Sequence, residues 1–170
     1  MTNLARLERH RLCDLLSELG PDAPTLCGTW STRDLAAHLV ARDRRFDSTP
    51  GLMIKALHGY TERVRSGIAR KPYDELVELV RSGPPIWSPV RLGPVDELTN
   101  TVEFFVHHED VRRATEPWDP RPVESELDDA LGRSVSRMGK LMGRKSPVGL
   151  TITDTAGERG SAAIKTGAPV

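Results

Sequence analysis

The stretch Glu103-Phe104-Phe105-Val106-His107-His108-Glu109-Asp110-Val111-Arg112-Arg113 decides how the chain is read. It lies in a segment from Val95 to about Ala114 that contains no proline, and Pro117, Pro120 and Pro122 close it. Such a segment predicts a helix. On a helix, residues four apart lie about 40° apart around the axis. Glu103 and His107 therefore share a face, and Asp110 falls within about 60° of His107 on the same side. Val102, Phe104, Phe105, Val106 and Val111 surround them, so this face is expected inside a helical bundle. A carboxylate buried there without a partner is costly, and a divalent ion shared with the imidazole is one partner. A Glu and a His at this spacing also hydrogen-bond to each other on solvated faces, so the spacing alone leaves both readings open. His108, about 140° from Glu103, is expected at the surface or behind the site.

Outward from this segment the chain reads as further helices. Leu4, Leu7, Leu12, Leu15, Leu16 and Leu19 form an apolar stripe capped by Thr2 or Asn3 and stopped at Gly20-Pro21. Ser31 and Asp34 make a capping-box pair before Leu35, Ala36, Leu39 and Val40, with Trp30 in the stapling position, and this helix is expected to reach Arg45 or Phe46. A helix over 52–68, a short one opened by Pro72 and ended at Ser82-Gly83, and a last one over 124–142 complete the set. The last carries the apolar residues Leu127, Leu131, Val135, Met138, Leu141 and Met142. After Pro147, the runs Val148 to Asp154 and Ser161 to Lys165 read as two short strands around a Gly157-Glu158-Arg159-Gly160 turn. The expected fold is thus mostly α, with a helical bundle over 1–145 and a β hairpin, or part of a β region, over 146–170.

A third ligand for an ion near Glu103 and His107 has to come from another helix. His38 sits among Leu35, Ala36, Ala37, Leu39 and Val40, where an imidazole needs a partner. Asp34 could orient it through its second nitrogen, although the cap explains Asp34 equally well. Arg42 and Arg45 lie on roughly the same side and could hold an anionic substrate, or be simply solvated. Two His and one carboxylate with open positions suit a catalytic divalent ion; Zn²⁺ fits, and so do Ni²⁺ and Fe²⁺ by ligand type. Such an ion lowers the pKa of a bound water or thiol.

The chain has 170 residues, with 24 basic and 24 acidic side chains that cancel. That balance argues against a nucleic-acid partner. No apolar run approaches the roughly 18–20 residues of a membrane span, and the charged N-terminus has no signal-peptide core. Cys13 and Cys27 are the only cysteines, too few for a disulfide framework. A cytoplasmic location is expected. Cys13 and Cys27 read as core or loop residues, His10 and His58 as surface, and Trp30, Trp87 and Trp118 as packing loops onto the bundle, with Trp87 also placed to line a cleft mouth.

Two segments resemble a known family. Thr29-Trp30-Ser31-Thr32-Arg33-Asp34-Leu35-Ala36-Ala37-His38-Leu39 is similar to the second-helix signature of the DinB-like superfamily, in the actinobacterial branch related to the N-terminal domain of mycothiol-dependent maleylpyruvate isomerase. The segment from Glu103 to Arg113 resembles that branch's second signature. The resemblance implies a four-helix bundle binding a divalent metal, zinc in the isomerase, through His38, Glu103 and His107. It also implies chemistry on a low-molecular-weight thiol such as mycothiol; the isomerase's own substrate is not carried over, and an anionic substrate is expected from the arginines alone. Arg42 or Arg45 would position the anion. In a second enzymatic reading the ion activates water, with Asp110 or Glu109 as base. In a third the bundle is a non-catalytic sensor or interaction module. A homodimer stays open among the partners.

Overall fold

Asn3 opens the first helix, α1 (Leu4–Leu19), by accepting a hydrogen bond from the Arg6 backbone N–H at 2.7 Å. Gly20, at φ 77°, ends it. The computed structural model describes residues 3–45, 58–85, 94–143, 148, 150–153 and 161–165. The helices that follow are α2 (Thr32–Arg44), α3 (His58–Ile68), α4 (Tyr73–Ser82), α5 (Pro94–Arg112) and α6 (Ser125–Gly143). The stretch 52–57, Trp87 and the expected turn at 157–160 lie outside the described residues.

The start of α2 is fixed as its sequence predicts. Asp34 Oδ2 accepts from the Ser31 backbone N–H at 3.2 Å and lies 3.3 Å from Ser31 Oγ. The helix is also tied to the preceding loop, because Thr32 N–H donates to the Ala23 carbonyl at 2.9 Å and Arg33 N–H to that of Pro21 at 3.1 Å. These bonds fix where α2 begins, and with it the height of His38.

The chain divides into two compact units, Met1–Arg121 and Pro122–Val170. In the first, α1 lies against α5 and α4, and α2 lies against α4 and α3. Leu12, Leu16, Leu35, Leu39, Leu76, Val80 and Phe104 are fully buried between these helices. Each such side chain contributes roughly 1.5–3 kcal/mol of apolar burial. Tyr73 joins this core and donates its hydroxyl to the Leu16 carbonyl at 2.9 Å.

Charged groups are built into the same interior. Arg9 pairs with Asp43 of α2, donates to the Val80 carbonyl at 2.9 Å and lies 4.2 Å over the Phe104 ring. Glu8, fully buried, accepts from Arg121 at 2.5 Å and from Arg11 at 2.9 Å, and stands 3.5 Å from His108 Nδ1. Arg121 also donates to Glu109 at 2.8 Å, and Arg112 and Arg113 join it there. One face of α5 is thereby locked to α1 by charge as well as by Phe104 and Val111.

In the second unit, α6 lies against β2 (Ser161–Lys165), which pairs antiparallel with β1 (Leu150–Thr153). Leu127 and Ala130 are buried, but Val135 and Met138 are about half exposed (47% and 49%). The apolar stripe expected along α6 is therefore buried at Leu127 and about half exposed at Val135 and Met138.

Candidate metal centre

Two faces of α5 do different work. Phe104, His108 and Val111 turn toward the interior and are buried. Glu103, His107 and Asp110 lie on another face, partly exposed. The expectation that α5 is enclosed by apolar neighbours all round does not hold: Val106 is 46% exposed, and Val102 and Phe105 are only half-buried. The face carrying Glu103 and His107 is partly exposed. His108, expected at the surface or behind the site, is buried against Glu8, because its position on α5 points at α1.

His38 reaches this face from α2. Its Nε2 is 3.5 Å from Glu103 Oε1, and His107 Nε2 is 3.4 Å from the same oxygen. The two imidazoles meet edge to face with centroids 5.5 Å apart. One ligand atom from each of His38, Glu103 and His107 lies within 4.8 Å of the others. Tetrahedral bonds of about 2.0–2.1 Å from Zn²⁺ to N and O require ligand atoms about 3.3 Å apart. The two separations to Glu103 Oε1 fit that spacing, and two neutral imidazoles with one carboxylate form a donor set suited to a divalent ion with positions left open.

The electrostatics follow from the same geometry. Burial works to raise the Glu103 pKa, but hydrogen bonds from His107 and His38 and the charge of Arg42 outweigh it and hold the carboxyl well below its usual range. Burial works to lower the His107 pKa, but its contacts with Cys27 and Glu103 push it up to about 10. Without an ion, His107 and Glu103 are thus a charged pair. A divalent cation would take the place of the imidazolium proton.

His107 has partners on both ring nitrogens. Nδ1 lies 3.1 Å from Asp110 Oδ2 and 3.7 Å from Cys27 Sγ. A carboxylate on the far nitrogen is the arrangement that fixes the tautomer of a metal-binding His and raises its basicity. Asp34 does not serve His38 in this way. Its carboxylate is taken by Arg65 and by the Ser31 cap, so the capping reading of that residue is the one observed. Instead the Trp30 ring packs 5.2 Å from the His38 ring, and Arg65 lies 5.0 Å over Trp30.

The arginines separate. Arg42 Nε lies 3.5 Å from Glu103 Oε1. Its Nη1 makes no hydrogen bond among the described residues, although Asp43 Oδ1 stands 3.6 Å away. Arg45, the C-cap residue of α2, donates to the Tyr60 hydroxyl at 3.1 Å. Glu109 is bound by Arg112, Arg113 and Arg121. Burial raises its pKa, yet those three hydrogen bonds hold it low, which makes it a poor base and places it in the structural network on the α1 side.

Cys27 is the residue that reading the sequence undervalued. The loop before α2 brings it in: Leu26 N–H donates to the Asp110 carbonyl at 3.0 Å, so the loop docks on α5. Within the loop, Thr25 Oγ1 donates to the Trp30 carbonyl at 2.8 Å and accepts from Cys27 N–H at 3.1 Å. Gly28, at φ 69°, makes the turn that follows. Cys27 Sγ then stands 3.2 Å from Asp110 Oδ2. Nothing in the local pattern around Cys27 announces this, because the contact spans 83 residues.

Residues 5–85 match the family model of the mycothiol maleylpyruvate isomerase N-terminal domain. The matched stretch contains His38, and Glu103 and His107 lie beyond it. No curated protein and no solved structure matches the chain.

Proposed function

From a chain whose residues 5–85 carry the mycothiol maleylpyruvate isomerase N-terminal family pattern, we propose that the protein is a divalent-metal enzyme acting on a low-molecular-weight thiol, of the mycothiol-dependent transferase or isomerase type. The bundle is of the DinB-like four-helix kind. His38, Glu103 and His107 hold the ion, Zn²⁺ first by ligand type. The observation that carries this reading is the convergence of three ligand atoms from α2 and α5 within 4.8 Å, on residues that are partly exposed. When bound, the ion supplies Lewis-acid chemistry that lowers the proton affinity of a thiol at its open position.

The chain's own residues would do the rest. Asp110 accepts from His107 Nδ1–H and keeps Nε2 free for the ion. Arg42, whose Nε lies 3.5 Å from Glu103 Oε1, would take an anionic group of the substrate, and Arg45 one turn further along would extend the cationic side. Trp30 gives the site an apolar wall beside His38.

The test is elemental analysis of the purified protein followed by turnover of small anionic electrophiles with and without a mycothiol-type thiol. Turnover is expected only with the thiol, and is expected to be lost in His38→Ala and Glu103→Ala. Turnover that does not depend on thiol would assign the ion to water activation. Thiol-dependent turnover that survives His38→Ala would remove that residue from the centre.

A further inference from the structure

We propose that Cys27, Asp110 and Nδ1 of His107 form a second metal site, selective for thiophilic divalent ions, which competes with the first for His107. The three ligand atoms lie within 4.8 Å of one another. Their separations are 3.1 Å between Nδ1 and Oδ2, 3.2 Å between Sγ and Oδ2, and 3.7 Å between Sγ and Nδ1. Tetrahedral zinc with bonds of about 2.3 Å to S and about 2.0–2.1 Å to N and O requires edges of about 3.3 Å for N–O and about 3.5 Å for the two edges to sulfur. The cluster is already near those edges without rearrangement.

The site is also pre-organised. Cys27 N–H donates to the Thr25 hydroxyl, which itself donates to the Trp30 carbonyl, the Leu26–Asp110 backbone bond docks the loop, and Asp110 is fixed by its place on α5. Cys27 is partly exposed, so an ion can reach it. A thiolate, an imidazole and a carboxylate form a donor set that favours zinc, cobalt or cadmium over magnesium or calcium. On binding, the Cys27 thiol proton and the Nδ1 proton of His107 leave to solvent.

The consequence lies in the imidazole. An ion on Nδ1 leaves the remaining ring proton on Nε2, and Nε2 then cannot ligate the ion held by His38 and Glu103. Filling the second site therefore empties the first. The first site is the one on which the proposed function rests. The second stands on its own geometry and would persist if that function proved wrong.

The experiment is a Co²⁺ titration of the full chain, followed in the near ultraviolet for thiolate-to-cobalt charge transfer and in the visible for d–d bands. The charge-transfer band is expected in the wild type and in His38→Ala, and is expected to be absent in Cys27→Ser while the visible bands of the first site remain. If Cys27→Ser does not fold by circular dichroism, alkylating Cys27 in the folded wild type gives the same reading, since buried Cys13 is spared. No charge-transfer band at saturating Co²⁺ overturns the proposal. A band that survives loss or alkylation of Cys27 also overturns it. A band lost in His38→Ala would make Cys27 a fourth ligand of the first centre, and overturns the separate site.

Discussion

Replacing Glu8 with Gln isolates the buried charge network that locks α5 against α1. The carboxylate is fully buried and accepts from Arg121 at 2.5 Å and Arg11 at 2.9 Å, with His108 at 3.5 Å. Burial works to raise its pKa, but His108, Arg121 and Arg11 together bring it from 4.5 down to about 2. At 1.36 kcal/mol per unit, that difference is worth about 3 kcal/mol to the folded state at neutral pH. Breaking a buried pair by removing one partner costs roughly 3–5 kcal/mol in general, so the two routes agree. The sign follows from the depressed folded pKa. The stabilisation is fully present above the unfolded pKa of 4.5 and is lost as pH falls through about 2. Near pH 3 about half of it should be gone. Urea unfolding of wild type and Glu8→Gln at pH 7 and near pH 3 measures this directly. The difference should be about 3 kcal/mol at pH 7 and about half that near pH 3. A difference below about 1 kcal/mol at pH 7, within the range of an ordinary exposed ion pair, or one that does not change with pH, would refute the reasoning.

Other perturbations test neighbouring parts of the account. Asp43→Ala strands the buried guanidinium of Arg9 and should cost roughly 3–5 kcal/mol in urea unfolding, while the double variant Arg9→Met/Asp43→Leu should recover most of it. Gly83 sits at φ 71°, and a Cβ there would stand 3.3 Å from Arg9 Nη1, so Gly83→Ala should lower stability by about 1–2 kcal/mol, read as a drop in Tm. Iodoacetamide on the native protein should modify Cys27 and leave Cys13 untouched by peptide mass spectrometry. Burial pushes the Cys13 thiol up to about 12, whereas Cys27 is partly exposed.

The helices were legible because their signals are local. The leucine stripe of α1, the Ser31–Asp34 cap and the proline-rich stop after α5 each sit within a few residues of what they control. The juxtaposition of His38, Glu103 and His107 is legible for a related reason: helical periodicity puts the last two on one face, and a histidine in an apolar run asks for a partner. The charged interior was not legible. Glu8 and Arg9 stand between Leu7 and Leu12 in α1, where charges ordinarily mark a solvated face. Their partners Asp43 and Arg121 lie 34 and 113 residues away. His108 and Glu109 looked like surface or site residues for the same reason. Cys27 was hidden by its loop, since only docking of Leu26 on the Asp110 carbonyl carries it to His107. The half-exposed Val135 and Met138 of α6 show the converse, apolar spacing without burial.

Zinc titration of the Cys27→Ser chain by calorimetry tests the central claim most directly, because it removes the thiol and leaves His38, Glu103 and His107 in place. A single saturable zinc per chain is expected, weakened in Asp110→Asn by roughly 10–100-fold, as for loss of a supporting carboxylate, and by more than that in Cys27→Ser/His38→Ala and Cys27→Ser/Glu103→Ala. A folded Cys27→Ser protein that takes up no zinc, or one whose zinc affinity is unchanged by losing His38 or Glu103, would contradict it.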